Sequence, residues 1–306
     1  MNAPAATVRK VRSSMMNAVH DLPLLVAHDE GFFRDEGLDV EILRTPGSGQ
    51  YSSDHRALRD DIFKRTLEAS FEERQCDQFR MCEWGIMKRA VETNVALNHR
   101  QAKIVALGSA MSSFAIVTDP TLELYEPEQL KNVEIGVSLF NGSHFTMLKM
   151  MEGFLRRKEI KWTSCGTHKE RLEALRQGKL KAVSLQEPWI SVAEKQGCRV
   201  LIESHSTRSE AAGDELDGPT LAKMFRAQAR AAATIQKNPE KYAHHLVEEA
   251  GGLIDLKDLK LSRLLNAPPA PYTRERFEST YQWTLSWGLV SPGATYENTV
   301  DNRAWQ

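Results

Sequence analysis

The sequence predicts an α/β protein with a mainly parallel sheet. Two observations carry this. The chain opens on a strand, loop, helix, strand unit, and strands and helices go on alternating through most of its length. Residues 8–16 read as the first strand. A polar turn, Asn17-Ala18-Val19-His20-Asp21, leads into a helix whose apolar stripe holds Leu24, Leu25, Ala27, Phe32 and Phe33. Gly37 falls where a helix ends on a left-handed residue. Leu38, Val40 and Ile42 then alternate with Asp39 and Glu41, the period of a half-buried strand. In open α/β sheets, ligands bind where such loops leave the carboxyl ends of strands.

The remaining elements follow in order. Residues 44–53 form a glycine and serine loop, and 54–74 a long, charged, helical insert. Short strands at 104–107 and 114–117 are broken by Gly108 to Ser113. Residues 130–137 lead into a strand, and Asn141-Gly142-Ser143-His144 starts a helix running to about Arg157. A helix at 169–177, a strand at 182–185 and a return strand at 198–203 come next. Residues 210–218 read as an acidic, flexible link, 221–251 as strongly helical, and the tail as helices with proline turns.

Composition narrows the function classes. The chain has 306 residues, 41% hydrophobic and 26% charged, with formal net charge −1. That is ordinary soluble composition, with ample chain for a core. No basic run or aromatic platform points to nucleic acid. The apolar stretches are far too short to span a membrane. The first twelve residues carry Arg9, Lys10 and Arg12, but no apolar secretory core follows before the first strand. This favours a cytoplasmic location, or a periplasmic one with a signal removed. Cys76, Cys82, Cys165 and Cys198 show no metal-type spacing and read as thiols. No His-x-x-x-His pair occurs, so no metal is expected, and His244-His245 reads as helix surface.

Several turns are candidates for chemistry. Gly142-Ser143-His144 opens a helix straight after a strand, which suits either an anion site or an ordinary N-cap. His20, with Asn17 on the same turn, could move a proton near neutral pH or simply bond to backbone. The segment from Cys76 to Gly85 packs Arg80, Cys82 and Glu83 together. A thiol beside a guanidinium gains thiolate character, although buried free cysteine is the commoner fate. Tyr51 and Ser52 lie on the polar loop after the second strand. Ser109 and Ser112 are hinge or ligand groups, and Trp189 after Glu187-Pro188 could stack on a flat ligand or pack.

The order strand, Asn17-x-x-His20 turn, apolar helix and Gly31-Phe32-Phe33-x-x-Glu36-Gly37-Leu38-Asp39-Val40 resembles the start of the type II periplasmic-binding-protein superfamily. Its nearest branch holds sulfonate-binding proteins, thiamine-pyrimidine synthases and related aromatic-acid enzymes. Ile135-Gly136-Val137, Gly142-Ser143-His144, Gln186-Glu187-Pro188-Trp189 and Asn238-Pro239-Glu240 follow in the expected order, over about residues 8 to 250. The resemblance implies two lobes joined by a hinge, with a ligand cleft between them. The second lobe is 116–204. The first is built from 8–115 and 205–306, with crossovers near Ala115 and His205.

The resemblance also shapes the reading of the site. The pyrimidine synthases carry a similar Asn-His turn, matched by Asn17 and His20. Their cofactor-holding lysine near Met81 and their cysteine-rich motif are absent, which argues against pyridoxal phosphate. The aromatic-acid decarboxylases have Asp-x-x-Glu-Met-Ser where this chain has Asp77-Gln78-Phe79-Arg80-Met81-Cys82. The sulfinate desulfinases place a nucleophilic cysteine where this chain has Ala18. The expectation is a cytoplasmic, cofactor-independent enzyme that decarboxylates or desulfinates a small aromatic or heteroaromatic anion. Arg80, Ser143, Gly142, His144, Asn17, Tyr51, Ser52, Ser109, Ser112, Glu187 and Trp189 would bind it. His20, Cys82 or Glu83 would supply the proton. The alternative is the substrate-binding component of an ABC importer for sulfonate-like or aromatic anions. Oligomeric state is left open.

Overall fold

The computed structural model describes residues 8–44, 63 and 66–306. Tyr51 and Ser52 lie outside the described residues, as does most of the insert expected to be helical. β1 (Arg9–Met15) leads into α1 (Ala18–Asp29), the short α2 (Phe32–Asp35) and β2 (Leu38–Arg44). After α3 (Thr66–Glu72), β3 (Gln78–Cys82) turns directly into α4 (Glu83–Val95). β4 (Lys103–Thr118), β5 (Glu134–Val137), α5 (Gly142–Met151), β6 (Lys161–Ser164), α6 (His168–Arg176), β7 (Ala182–Gln186) and α7 (Trp189–Lys195) follow. β8 (Arg199–Ala212) brings the chain back to α8 (Gly218–Lys237), α9 (Pro239–Tyr242) and α10 (His244–Glu249). β9 (Leu265–Asn266), α11 (Arg274–Ser286) and α12 (Tyr296–Thr299) complete the described elements.

The strands lie in the order β2-β1-β3-β8-β4-β7-β5-β6, with β9 on β4. Pairing is parallel at the two flanks, among β1, β2 and β3 and among β5, β6 and β7. It is antiparallel wherever β4 or β8 takes part. The expected mainly parallel sheet is therefore found only at the flanks. Ala115 and His205, near which the crossovers are expected, lie within β4 and β8. Phe114 to Ile116 pair with Ser204 to Ile202 in the middle of two long strands, so both halves share one hydrogen-bonded sheet.

Two further expectations are corrected here. The two short strands around 104–117 are one strand, because Gly108, Ser109 and Ala110 are absorbed in a register shift between Leu107 and Met111. At Gly108 an added Cβ would come within 3.3 Å of Glu210 Oε1 and 3.4 Å of Arg208 Cβ. The supposed flexible link begins inside β8. Glu210 to Ala212 are buried strand residues, and Glu210 is held by Arg80. An acidic residue there looks solvated until its buried cation is known.

Local sequence explains the first helix. Asn17 accepts the His20 backbone N–H at 3.0 Å, and Asp21 accepts those of Met16 and Asn17 at 2.7 and 3.2 Å. Gly31 at φ +76° ends α1, so the single apolar stripe is split over two helices. Gly37 at φ +73° makes the left-handed turn into β2. Fully buried Phe71, Phe79, Phe114 and Phe145 anchor the packing. Each contributes roughly 1.5–3 kcal/mol by leaving water.

Candidate functional site

The site is built on one face of the β3–β8 pair. Cys82 lies opposite Arg208, and Arg80 opposite Glu210. Opposed residues and alternate residues share a face, so all four side chains stand on the same side. Arg80 is fully committed there. Its Nε reaches both oxygens of Glu210 at 3.1 Å, and its Nη1 reaches Asp21 at 3.1 Å. Its Nη2 donates to Ser13 Oγ at 2.8 Å. Burial alone would lower the affinity of this guanidinium for its proton, but Glu210 and Asp21 more than reverse that. Arg80 thus braces β1 and the Asn17–Asp21 turn, and offers no spare charge to an anion.

Arg208 is its opposite. It is 1% exposed and pairs with no carboxylate among the described residues. Its Nη2 lies 3.5 Å from the Arg80 carbonyl, and its Nε has no partner among the described residues. Burial pulls its pKa down to about 10, even though Cys82, Asp21 and Glu210 favour the charge. At neutral pH it remains a cation. Isolated charge in a protein interior is costly unless something compensates it.

The start of α1 faces this cation. Burial first, then Arg208 and His168, push the His20 imidazole well below its ordinary pKa. The ring is 1% exposed, lies 6.2 Å from the Phe114 ring, and its Nε2 has no hydrogen-bond partner among the described residues. Phe114 in turn packs under the start of α5. A Cβ on Gly142 would come within 2.7 Å of Phe114 Cζ, so only glycine lets the helix approach. From α5 the contacts run to α6. Ser143 Oγ accepts from Arg171 Nη1 and from the Ser138 N–H, both at 3.0 Å. Arg171 Nη2 meets His168 Nδ1 at 2.6 Å. Burial, then Arg171, hold His168 well below its ordinary pKa as well. A chain of contacts runs from His20 through Phe114, Gly142, Ser143 and Arg171 to His168, whose charge is felt in turn by His20.

The remaining expected residues fall in two groups. Asn17 caps α1, and Ser112 is buried on β4 with no partner for its hydroxyl among the described residues. Alternation puts Ser112 on the Phe114 face. His144 is buried at the start of α5, with Nδ1 3.3 Å from the Phe140 N–H and its ring 5.2 Å from Trp162. Ser109, by contrast, bonds to Gln228 at 3.2 Å, away from the cluster. Glu187 is tied to Arg263 and Ser191, with burial raising its carboxyl pKa. Trp189 packs against the main core. Glu83 receives Tyr272, Arg276, Thr207 and Thr280. Burial raises its pKa, but Arg276 and the hydroxyls outweigh that and leave it below the ordinary value. It is an ionised tie between α4 and α11, without a proton to give.

Arg208, Arg171, His168 and Phe114 were not singled out from sequence. The alternation of small and larger residues in Ser204 to Ala212 was the available signal that the return strand extends this far. Among the described residues no group of histidine, cysteine and carboxylate side chains is arranged to hold a metal, and no helix is long and apolar enough to cross a membrane.

No protein-family model and no curated protein sequence matches the chain. Solved structures do. The periplasmic aliphatic sulphonate binding protein SsuA from Escherichia coli superposes with TM-score 0.69 at 14% identity, over 99% of this chain and 93% of that one. The periplasmic nitrate-binding protein NrtA from Synechocystis PCC 6803 gives 0.68 at 13%, over 99% and 88%. The desulfurization enzyme DszB gives 0.62 at 11%, over 97% of both chains. The chain therefore has the two-lobed fold of the type II periplasmic binding proteins.

Proposed function

We propose that this protein binds a small organic anion, such as a sulfonate or carboxylate, in the manner of the substrate-binding component of an ABC importer. Arg208 is the counter-charge. One observation carries the reading: a fully buried guanidinium without a carboxylate partner among the described residues, in a cluster that spans both halves. Such a cation is destabilising in isolation and is compensated once an anion accepts its hydrogen bonds. The sulphonate- and nitrate-binding proteins of the same fold support the choice of ligand. Because these groups are buried, a ligand reaches them only when the halves part. Titration calorimetry with alkanesulfonates, nitrate and aromatic carboxylates tests this. Binding that falls at least tenfold in Arg208→Met is expected. Equal binding by that variant would overturn the assignment.

A second reading has its own observation. His20, neutral and with a free ring nitrogen, and the Cys82 thiol both flank Arg208. These are the parts of a decarboxylase or desulfinase acting in the cytoplasm, and DszB shares the fold. Mass spectrometry after long incubation separates the readings. An unchanged ligand, with the protein recovered in the periplasmic fraction, fits the importer component. A product fits the enzyme.

A further inference from the structure

His20 has one ring nitrogen engaged and one free. Nδ1 lies 3.2 Å from the Met16 sulfur. A thioether has no hydrogen to give, so in this contact the imidazole is the donor and Nδ1 carries the proton. The ring is neutral, since burial and the facing Arg208 and His168 oppose a second proton. Nε2 is then a bare lone pair, buried and without a partner among the described residues. Its neighbours leave that acceptor waiting. Among the described residues the Phe114 ring lies 6.2 Å away, Arg208 and His168 act on the imidazole only through their charge, and none of them donates to Nε2. The Asn17 carboxamide oxygen is occupied by the His20 backbone N–H, which fixes the ring's place on the turn.

We propose that the site selects anions that also carry a hydrogen-bond donor, a hydroxy- or amino-substituted sulfonate or carboxylate, with His20 Nε2 accepting from that donor while Arg208 holds the anionic group. This rests on the anion-binding reading above and adds a second point of recognition to it. An anion lacking the donor leaves a buried acceptor unpaired on binding, and the lone pair faces its apolar edge. The chemistry discriminates by loss rather than by gain. A site with a buried polar group rejects the analogue that cannot pair with it more strongly than an apolar site rejects an added hydroxyl.

The experiment compares matched pairs by calorimetry: ethanesulfonate with 2-hydroxyethanesulfonate, and benzenesulfonate with its three monohydroxy isomers. Wild type should favour at least one hydroxy member by about 10- to 100-fold over its parent. His20→Leu should erase that preference by raising the parent's affinity toward that of the hydroxy member, since no buried acceptor is then left unpaired. His20→Gln, whose carbonyl can accept, should restore part of it. Circular dichroism and thermal unfolding check that both variants fold. Nitrogen-15 spectra of the imidazole report the tautomer without any ligand. A protonated Nε2 in those spectra overturns the inference, as does a wild type that never favours a hydroxy isomer while Arg208→Met still weakens every anion. If Arg208→Met changes nothing, the anion-binding reading fails and this inference falls with it.

Discussion

Arg80 and Arg208 stand on the same face of neighbouring strands, both buried, and have opposite electrostatic fates. Arg80 meets Asp21 and Glu210 and stabilises the turn that carries His20. Arg208 meets no carboxylate among the described residues. The first arrangement is closed, because every charge has its complement inside the chain. The second is open, because no carboxylate of the described residues completes it. A buried cation lacking a partner is a better pointer to a ligand than a buried cation as such, and the difference shows only when partners are counted.

Removing each arginine should break the comparison in opposite directions. Arg80→Met strands Asp21 and Glu210 as buried carboxylates and should cost about 3–5 kcal/mol in denaturant unfolding. Arg208→Met should leave stability unchanged or raise it by about 1–4 kcal/mol, since it removes an uncompensated charge. Similar destabilisation by both would show that Arg208 is structural after all.

Glu249 is the acidic counterpart of Arg208. Its carboxylate accepts the Ala18 N–H at the start of α1, and burial pushes its pKa up to about 7. Unlike arginine, it escapes the cost by taking a proton. The sign follows from a folded value above the unfolded one. The contribution to stability is complete below about pH 4.5 and is lost as pH rises through 7. Glu249→Gln keeps an acceptor without the charge. At pH 8 it should stabilise the protein by on the order of 3 kcal/mol, and at pH 4.5 by almost nothing. Equal effects at both pH values would contradict a shifted carboxyl group.

The binding effects are smaller. Arg208→Met should weaken an anion by about 1.5–3 kcal/mol, the worth of a charged hydrogen bond. Ser143→Ala should weaken it by about 1 kcal/mol, because the hydroxyl that receives Arg171 is gone. A full loss of binding in Ser143→Ala, equal to that of Arg208→Met, would move the centre of the site to α5.

The sequence made parts of this legible and hid others for physical reasons. The Asn17–Asp21 turn, α1, Gly37 and β2 follow local rules, since a cap, an apolar period and a left-handed glycine are each encoded within a few residues. His20, Cys82 and Ser143 were found because reactive types stood at turns. Arg80 was also noticed, but its role depends on Asp21 and Glu210, which are 59 and 130 residues away. Arg208 is not legible in the sequence, because its significance is a missing partner and no local pattern records an absence. β4 and β8 were shortened for a similar reason. Gly108 to Ala110 have poor strand propensity, and pairing with β8 overrides it.

The most direct test is a crystal structure with a bound sulfonate or carboxylate that calorimetry shows to bind. The account predicts anionic oxygens within about 3 Å of the Arg208 guanidinium. Arg80 should still be held by Asp21 and Glu210, and His20 Nε2 should face the ligand. An anion seated on Arg80 with its carboxylates displaced, or one bound away from Arg208, would contradict it.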